Sequence, residues 1–142
     1  MPPSFLETAA AAVQSRKRIR EHIYQTPLIP ARAAGRDHNV RVLFKAENFQ
    51  LTGSFKLRDE DSITLALALA VVDEVVECDE EEIAAAMRDI AFGENMIVEG
   101  SAALALAGFN KVARDLSGQT SVILLCGANV DQDTVKKVLY GA

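Results

Sequence analysis

The stretch ENFQLTGSFKLRDEDS, residues 47–62, puts one lysine where covalent amine chemistry is possible. A strand pattern runs into a Gly-Ser turn, and Lys56 follows in the first turn of an expected helix. A lysine there is held against unpaired backbone N–H groups and the positive end of the helix dipole. Such a setting favours the neutral amine that Schiff-base chemistry needs. Phe55 beside it offers a flat apolar face, and Ser54 can cap the helix. Taken alone, these features fit a surface lysine at a helix start more often than a catalytic one. Ser54 and Lys56 suggest a Ser-Lys nucleophile, yet no oxyanion-hole signature accompanies them. TGSFK also lacks the Gly-x-x-x-x-Gly-Lys-Ser/Thr spacing of a phosphate-binding P-loop. The run DEEE, residues 79–82, reads as a helix cap with a solvated face rather than a metal site. His22 and His38 have no ligand-spaced partner for zinc.

The elements that must position these residues follow from pattern. Residues 4–24 read as a helix, with Ser4 and Glu7 spaced as a capping box and an alanine run behind them. QTPLIPAR is an extended connection, because Pro27 and Pro30 disfavour helix before them. VRVLFKAE, residues 40–47, alternates as a strand and LTGS turns the chain. Residues 62–72 read as a buried helix and EVVEC as a short strand. DEEEIAAAMRDIAF is a helix capped by Asp79. EGSAALALAGFNKVARDL is a second helix whose small residues permit close backbone approach. TSVILLC, residues 120–126, has the continuous apolar character of a buried parallel strand. GAN turns the chain into a last helix from about Asp131 to Leu139. Alternating strands and helices predict an α/β layer fold.

Composition narrows the function classes. The chain has 142 residues, 49% of them hydrophobic and only 6% aromatic, so an Ala/Leu/Val/Ile core is expected. A net charge of -5 without a basic stripe argues against nucleic acid and against an anionic membrane surface. The apolar run Ile63 to Val72 is far shorter than the roughly twenty residues a spanning helix needs. Two cysteines, Cys78 and Cys126, without a secretory signal pattern, imply a reducing compartment and a cytoplasmic location.

KAENFQLTGSFKLR, residues 45–58, closely resembles the lysine motif of the serine/threonine dehydratase family. These are fold-type II pyridoxal-phosphate enzymes that include threonine dehydratase, serine racemase and 3-hydroxyaspartate dehydratase. The upstream TPL, residues 26–28, lies at the family's distance. The resemblance implies that Lys56 is the Schiff-base lysine, that Phe55 lies against the cofactor ring and that Ser54 lines the substrate side. From DSITL onward the chain resembles the family's C-terminal segment. VEGSAALALA matches its Glu followed by small residues and implies Glu99 near the cofactor. ILLCGANVD matches its Ser/Cys-Gly-Gly/Ala-Asn turn. That match implies Cys126 at the pyridine nitrogen, leaving the ring largely unprotonated, with Gly127 and Asn129 completing the cofactor-binding loop. A small buried hydrophobe ending a strand is the plainer reading of Cys126.

The two matched stretches are not neighbours in that family, whose members are typically more than twice this length. Two motifs expected between them are absent: the Ser-Ser-Gly-Asn-His substrate loop and a Gly-rich phosphate loop. No two glycines are adjacent anywhere in the chain. Arg58 is followed by Asp59, Glu60 and Asp61, where the family continues Arg-Gly-Ala. The expectation is therefore one domain, 1–142, joining an N-terminal segment 1–58 to a C-terminal segment 62–142, with the junction near 58–61. Its fold class is a compact remnant of the fold-type II architecture, helices packed on a small, mostly parallel sheet. The resemblance implies a pyridoxal-phosphate lyase that turns a hydroxy amino acid into a 2-oxo acid and ammonia. A non-catalytic remnant that associates through faces left bare, including as a homo-oligomer, is the alternative.

Overall fold

A computed structural model describes residues 4–21, 23–53 and 72–141 of the chain. The helix expected from Phe55 lies outside the described residues, as does that over 62–72 but for Val72. Contacts divide the chain into two units, Met1–Gln25 with Lys56–Val75 and Thr26–Phe55 with Val76–Ala142. In the first unit, α1 (Phe5–Ile19) starts at the expected capping box. The Ser4 hydroxyl accepts from the Glu7 N–H, and the Glu7 carboxylate accepts from the Ser4 N–H at 2.7 Å. The helix ends at Ile19, short of the expected Tyr24. Ile19, Ile23 and Tyr24 are poor helix formers, and Pro27 biases the chain ahead of it toward extended backbone.

The second unit is built on a sheet of order β1-β2-β3, made of β1 (Leu28–Pro30), β2 (Arg41–Lys45) and β3 (Thr120–Leu124). β2 and β3 run parallel with Phe44 opposite Ile123, and β1 is antiparallel to β2 with Ile29 opposite Phe44. The longer pairing is thus the parallel one, and the α/β architecture read from the sequence is borne out. β1 itself was expected only as an extended connection.

Among the described residues, three helices belong to this unit: α2 (Glu80–Gly93), α3 (Gly100–Val112) and α4 (Gln132–Tyr140). α2 begins at an Asp79–Glu82 capping box, and Asp131 caps α4 by accepting from the Asp133 and Thr134 N–H groups. α2 packs on α3 and α4, and α3 packs on β3. Alternation sends Val42, Phe44 and Ile123 into the core with Ile90, Leu106 and Leu125. The other face of β3 carries Val122 and Leu124, 59% and 42% exposed. TSVIL therefore has one buried face where its apolar run predicts two.

EVVEC is not a strand. Residues 72–79 have no regular structure, and Val75 is 79% exposed. The segment is held by side chains instead of a ladder. Val76 lies against Gly108 of α3, 3.8 Å from where a Cβ would stand, and Lys111 Nζ donates to the Glu77 carbonyl at 3.0 Å. Gly108 supplies the close approach expected of the small residues in that helix.

Candidate functional site

The segment that leads to Lys56 is anchored by its own acidic residue. Past β2 the chain makes a 3-10 turn, Glu47–Phe49. The Glu47 carboxylate accepts from Thr26 Oγ1 at 2.7 Å and Gln50 Nε2 at 2.8 Å, and pairs with Lys45 Nζ at 2.9 Å. Lys45 Nζ also donates to Thr26, at its carbonyl (2.8 Å) and its hydroxyl. Burial pushes the Glu47 carboxyl up, but hydrogen bonds from Lys45, Gln50 and Thr26 and the Lys45 charge outweigh it. The net result is a pKa below the ordinary carboxylate value. A depressed folded-state pKa adds stability that is present above the unfolded value and lost as pH falls through the folded one. Glu47→Gln is therefore expected to lower stability at neutral pH, with the difference from the parent shrinking below about pH 4.5 as the parent's Glu47 protonates. Urea unfolding of both proteins between pH 7 and 3 measures this; a gap that is constant across that range contradicts it.

From this turn the chain reaches the loop after β3. The Asn48 N–H donates to the Leu125 carbonyl at 2.8 Å, and the Leu125 N–H donates to the Lys45 carbonyl at 3.0 Å. The Gly53 N–H closes on the Gln50 carbonyl, and the Gly53 carbonyl accepts from the Ala128 N–H, both at 2.8 Å. Asn129 Nδ2 donates to the Thr52 carbonyl at 3.1 Å. Gly53 has φ 67, a left-handed conformation that suits glycine, and a Cβ there would meet Asn129 Oδ1 at 2.8 Å. The LTG turn and the CGAN turn therefore lie against each other at the carboxyl ends of the parallel strands β2 and β3.

Glu99, the residue before α3, joins the same cluster. Its N–H donates to the Gly127 carbonyl at 3.1 Å. Its Oε2 accepts from the Asn129 N–H at 3.0 Å, and its Oε1 from Ser101 Oγ at 2.5 Å. The carboxylate lies directly over Gly127, where a Cβ would stand 2.6 Å from Oε1. A side chain there would force the Glu99 carboxylate to move. Ser101 Oγ is also 3.5 Å from Cys126 Sγ. Of the residues singled out from the sequence, Glu99, Cys126, Gly127 and Asn129 are thus brought together. Ser54, Phe55 and Lys56 lie outside the described residues; the described chain stops at Gly53, three positions before Lys56.

Sequence reasoning missed two polar residues beside this cluster and one away from it. Ser101 was legible only as a small residue at a helix start. Asn48 was absorbed in the motif, yet it is 6% exposed and its Oδ1 has no hydrogen-bond partner. Glu94, also 6% exposed, ends α2 and accepts from three successive backbone N–H groups: Arg32 at 2.6 Å, Ala33 at 2.9 Å and Ala34 at 3.2 Å. Near it a cleft of about 420 Å³ opens among residues 33–38, Arg88, Asp89, Phe92 and Phe109. Charges of both signs line it, so it selects no one ligand charge. Among the described residues no group of His, Cys, Asp and Glu is arranged to hold a metal ion, and no helix is long and apolar enough to cross a membrane.

Comparison with known proteins places this geometry in context. Residues 59–127 match the family described as pyridoxal-phosphate dependent enzyme. The chain is 38% identical over 77 residues to an L-threonine dehydratase (biosynthetic IlvA) of Pasteurella multocida, covering 53% of this chain and 15% of that protein. It is 40% identical over 77 residues to an L-threonine ammonia-lyase of Geobacter sulfurreducens, covering 54% and 19%. It is 40% identical over 81 residues to the mitochondrial threonine dehydratase of Saccharomyces cerevisiae, covering 53% and 14%. The chain thus spans less than a fifth of the length of these relatives. The resemblance read from the sequence, to the serine/threonine dehydratases, is borne out over the matched residues. The family match begins past Lys56 and takes in Glu99, Cys126 and Gly127.

The residues present fit the ring end of pyridoxal phosphate. Cys126 with Ser101 is a polar pair suited to a ring nitrogen, and Gly127 leaves a wall without a side chain. The phosphate end fits less well. Convergent backbone N–H groups, usually from a glycine-rich loop, hold such phosphates, and the described residues contain no loop of that composition.

Proposed function

We propose that the chain derives from a pyridoxal-phosphate-dependent dehydratase and keeps the ring-facing part of its site, acting on a hydroxy amino acid such as threonine, serine or 3-hydroxyaspartate. One observation carries the reading. The turn leading to the lysine motif and the CGAN turn are hydrogen-bonded together at the carboxyl ends of two parallel strands. Open α/β folds bind their ligands there. When bound, pyridoxal phosphate supplies the sink for the electrons left as the substrate Cα–H bond breaks.

The chain's own residues do the rest in this reading. Lys56 would be the amine that holds the cofactor and the base placed to take the substrate Cα proton. Phe55 lies against the cofactor ring and Ser54 against the substrate. Cys126 faces the ring nitrogen. Gly127 and Asn129 shape the loop, and Glu99 holds it by its bonds to Asn129 and Ser101. The products of the proposed reaction would be a 2-oxo acid and ammonia. Serine racemase is a further relative by this reading, and the cytoplasm is the proposed location. The test mixes the purified chain and pyridoxal phosphate with threonine, serine or 3-hydroxyaspartate and measures 2-oxo acid release. Release from at least one, lost in Lys56→Ala, is expected; no release above the free-cofactor rate from any of them sinks the catalytic reading.

A second reading has its own support. The bare face of β3 at Val122 and Leu124, together with the small share of the relatives covered, suits a remnant that associates with itself or another chain. Light scattering tests this reading, since a monomer at all concentrations speaks against association.

A further inference from the structure

The polar cluster at Cys126 holds more information than the roles above use, because the hydrogens in it can be assigned. Ser101 Oγ is 2.5 Å from Glu99 Oε1 and 3.5 Å from Cys126 Sγ. A hydroxyl has one hydrogen and two acceptor lone pairs, whereas an ionised carboxylate only accepts. The Ser101 hydrogen therefore goes to Glu99, the shorter and charge-assisted bond. The contact with Cys126 can then be a hydrogen bond in only one sense, with the thiol donating to Ser101 Oγ.

We infer that Ser101 is a positioning residue that fixes the direction of the Cys126 thiol hydrogen, through a chain running from Cys126 to Ser101 to Glu99. The inference rests on the proposed function for its meaning but not for its test. A sulfur whose hydrogen is spent on Ser101 presents only lone pairs to its other neighbours. Glu99 is kept in place for this by the Asn129 N–H on its second oxygen and by the absence of a side chain on Gly127. Ser101 itself is exposed, so removing its hydroxyl leaves the core untouched.

The readout is the thiol S–H stretching band in infrared spectra of the chain without cofactor, in a Cys78→Ala background so that Cys126 is the one thiol. Cys126→Ala assigns the band by abolishing it. The band is expected below the position of a non-donating thiol, to move up in Ser101→Ala and to stay in Ser101→Thr, which keeps a hydroxyl. Circular dichroism confirms that each variant remains folded. A band that does not move in Ser101→Ala, or that moves equally in Ser101→Thr, overturns the assignment. Failure of the chain to bind pyridoxal phosphate would defeat the proposed function and leave this result standing.

Discussion

Glu94→Ala is expected to destabilise the sheet-bearing unit by about 3 kcal/mol, counting about 1 kcal/mol for each of three backbone hydrogen bonds lost. The carboxylate is nearly buried and is the acceptor for the N–H groups of Arg32, Ala33 and Ala34. Those groups lie on the chain between β1 and β2, so Glu94 ties the end of α2 to the entry of the central strand. The cost stays near the low end per bond because Arg32 and Ala33 are exposed and their N–H groups can regain water. Glu94→Gln should fall between, since one of its two oxygens becomes a donor facing other donors. Urea unfolding followed by circular dichroism measures both. A loss under about 1 kcal/mol in Glu94→Ala would mean that the three bonds contribute almost nothing net.

Lys56→Ala is expected to lower 2-oxo acid formation at least about a hundredfold, the usual scale for removing a positioned general base. In the proposed reading, the larger part of the effect comes from losing the amine that would carry the cofactor. Glu99→Gln is the informative contrast. It keeps the shape of the cluster but weakens the bonds to Ser101 and the Asn129 N–H, so a smaller loss is expected from it than from the lysine variant.

Local pattern made much of this fold legible. Ser4 with Glu7, and Asp79, announced two helix starts because capping needs particular side chains at particular positions; the Asp79–Glu82 box and the Asp131 cap emerged only from the structure. Alternation in VRVLF gave β2 and its buried face. What depended on tertiary partners was harder to read. EVVEC has strand composition but packs on α3 through Val76 and Lys111, and β-branched residues pack in either setting. TSVILLC looked buried on both sides, yet composition does not say which neighbours are present to bury it. In the candidate site, Glu99, Cys126, Gly127 and Asn129 were legible because they sit in recognisable short runs. Ser101 and Asn48 were not, because their significance lies in distances across 25 residues to Cys126 and in burial beside Leu125. Glu94 gave no signal at all: an acidic residue after a glycine at a helix end looks solvated, and its three donors come from 60 to 62 residues away.

The central claim is that this chain still carries pyridoxal phosphate on Lys56. The direct measurement is borohydride reduction of the protein in the presence of the cofactor, followed by peptide mapping. A reduced pyridoxyl group on the peptide containing Lys56, formed at saturable cofactor concentration and absent from Lys56→Ala, is the predicted result. Label spread over the surface lysines, with no preference for Lys56 and no saturation, would contradict it.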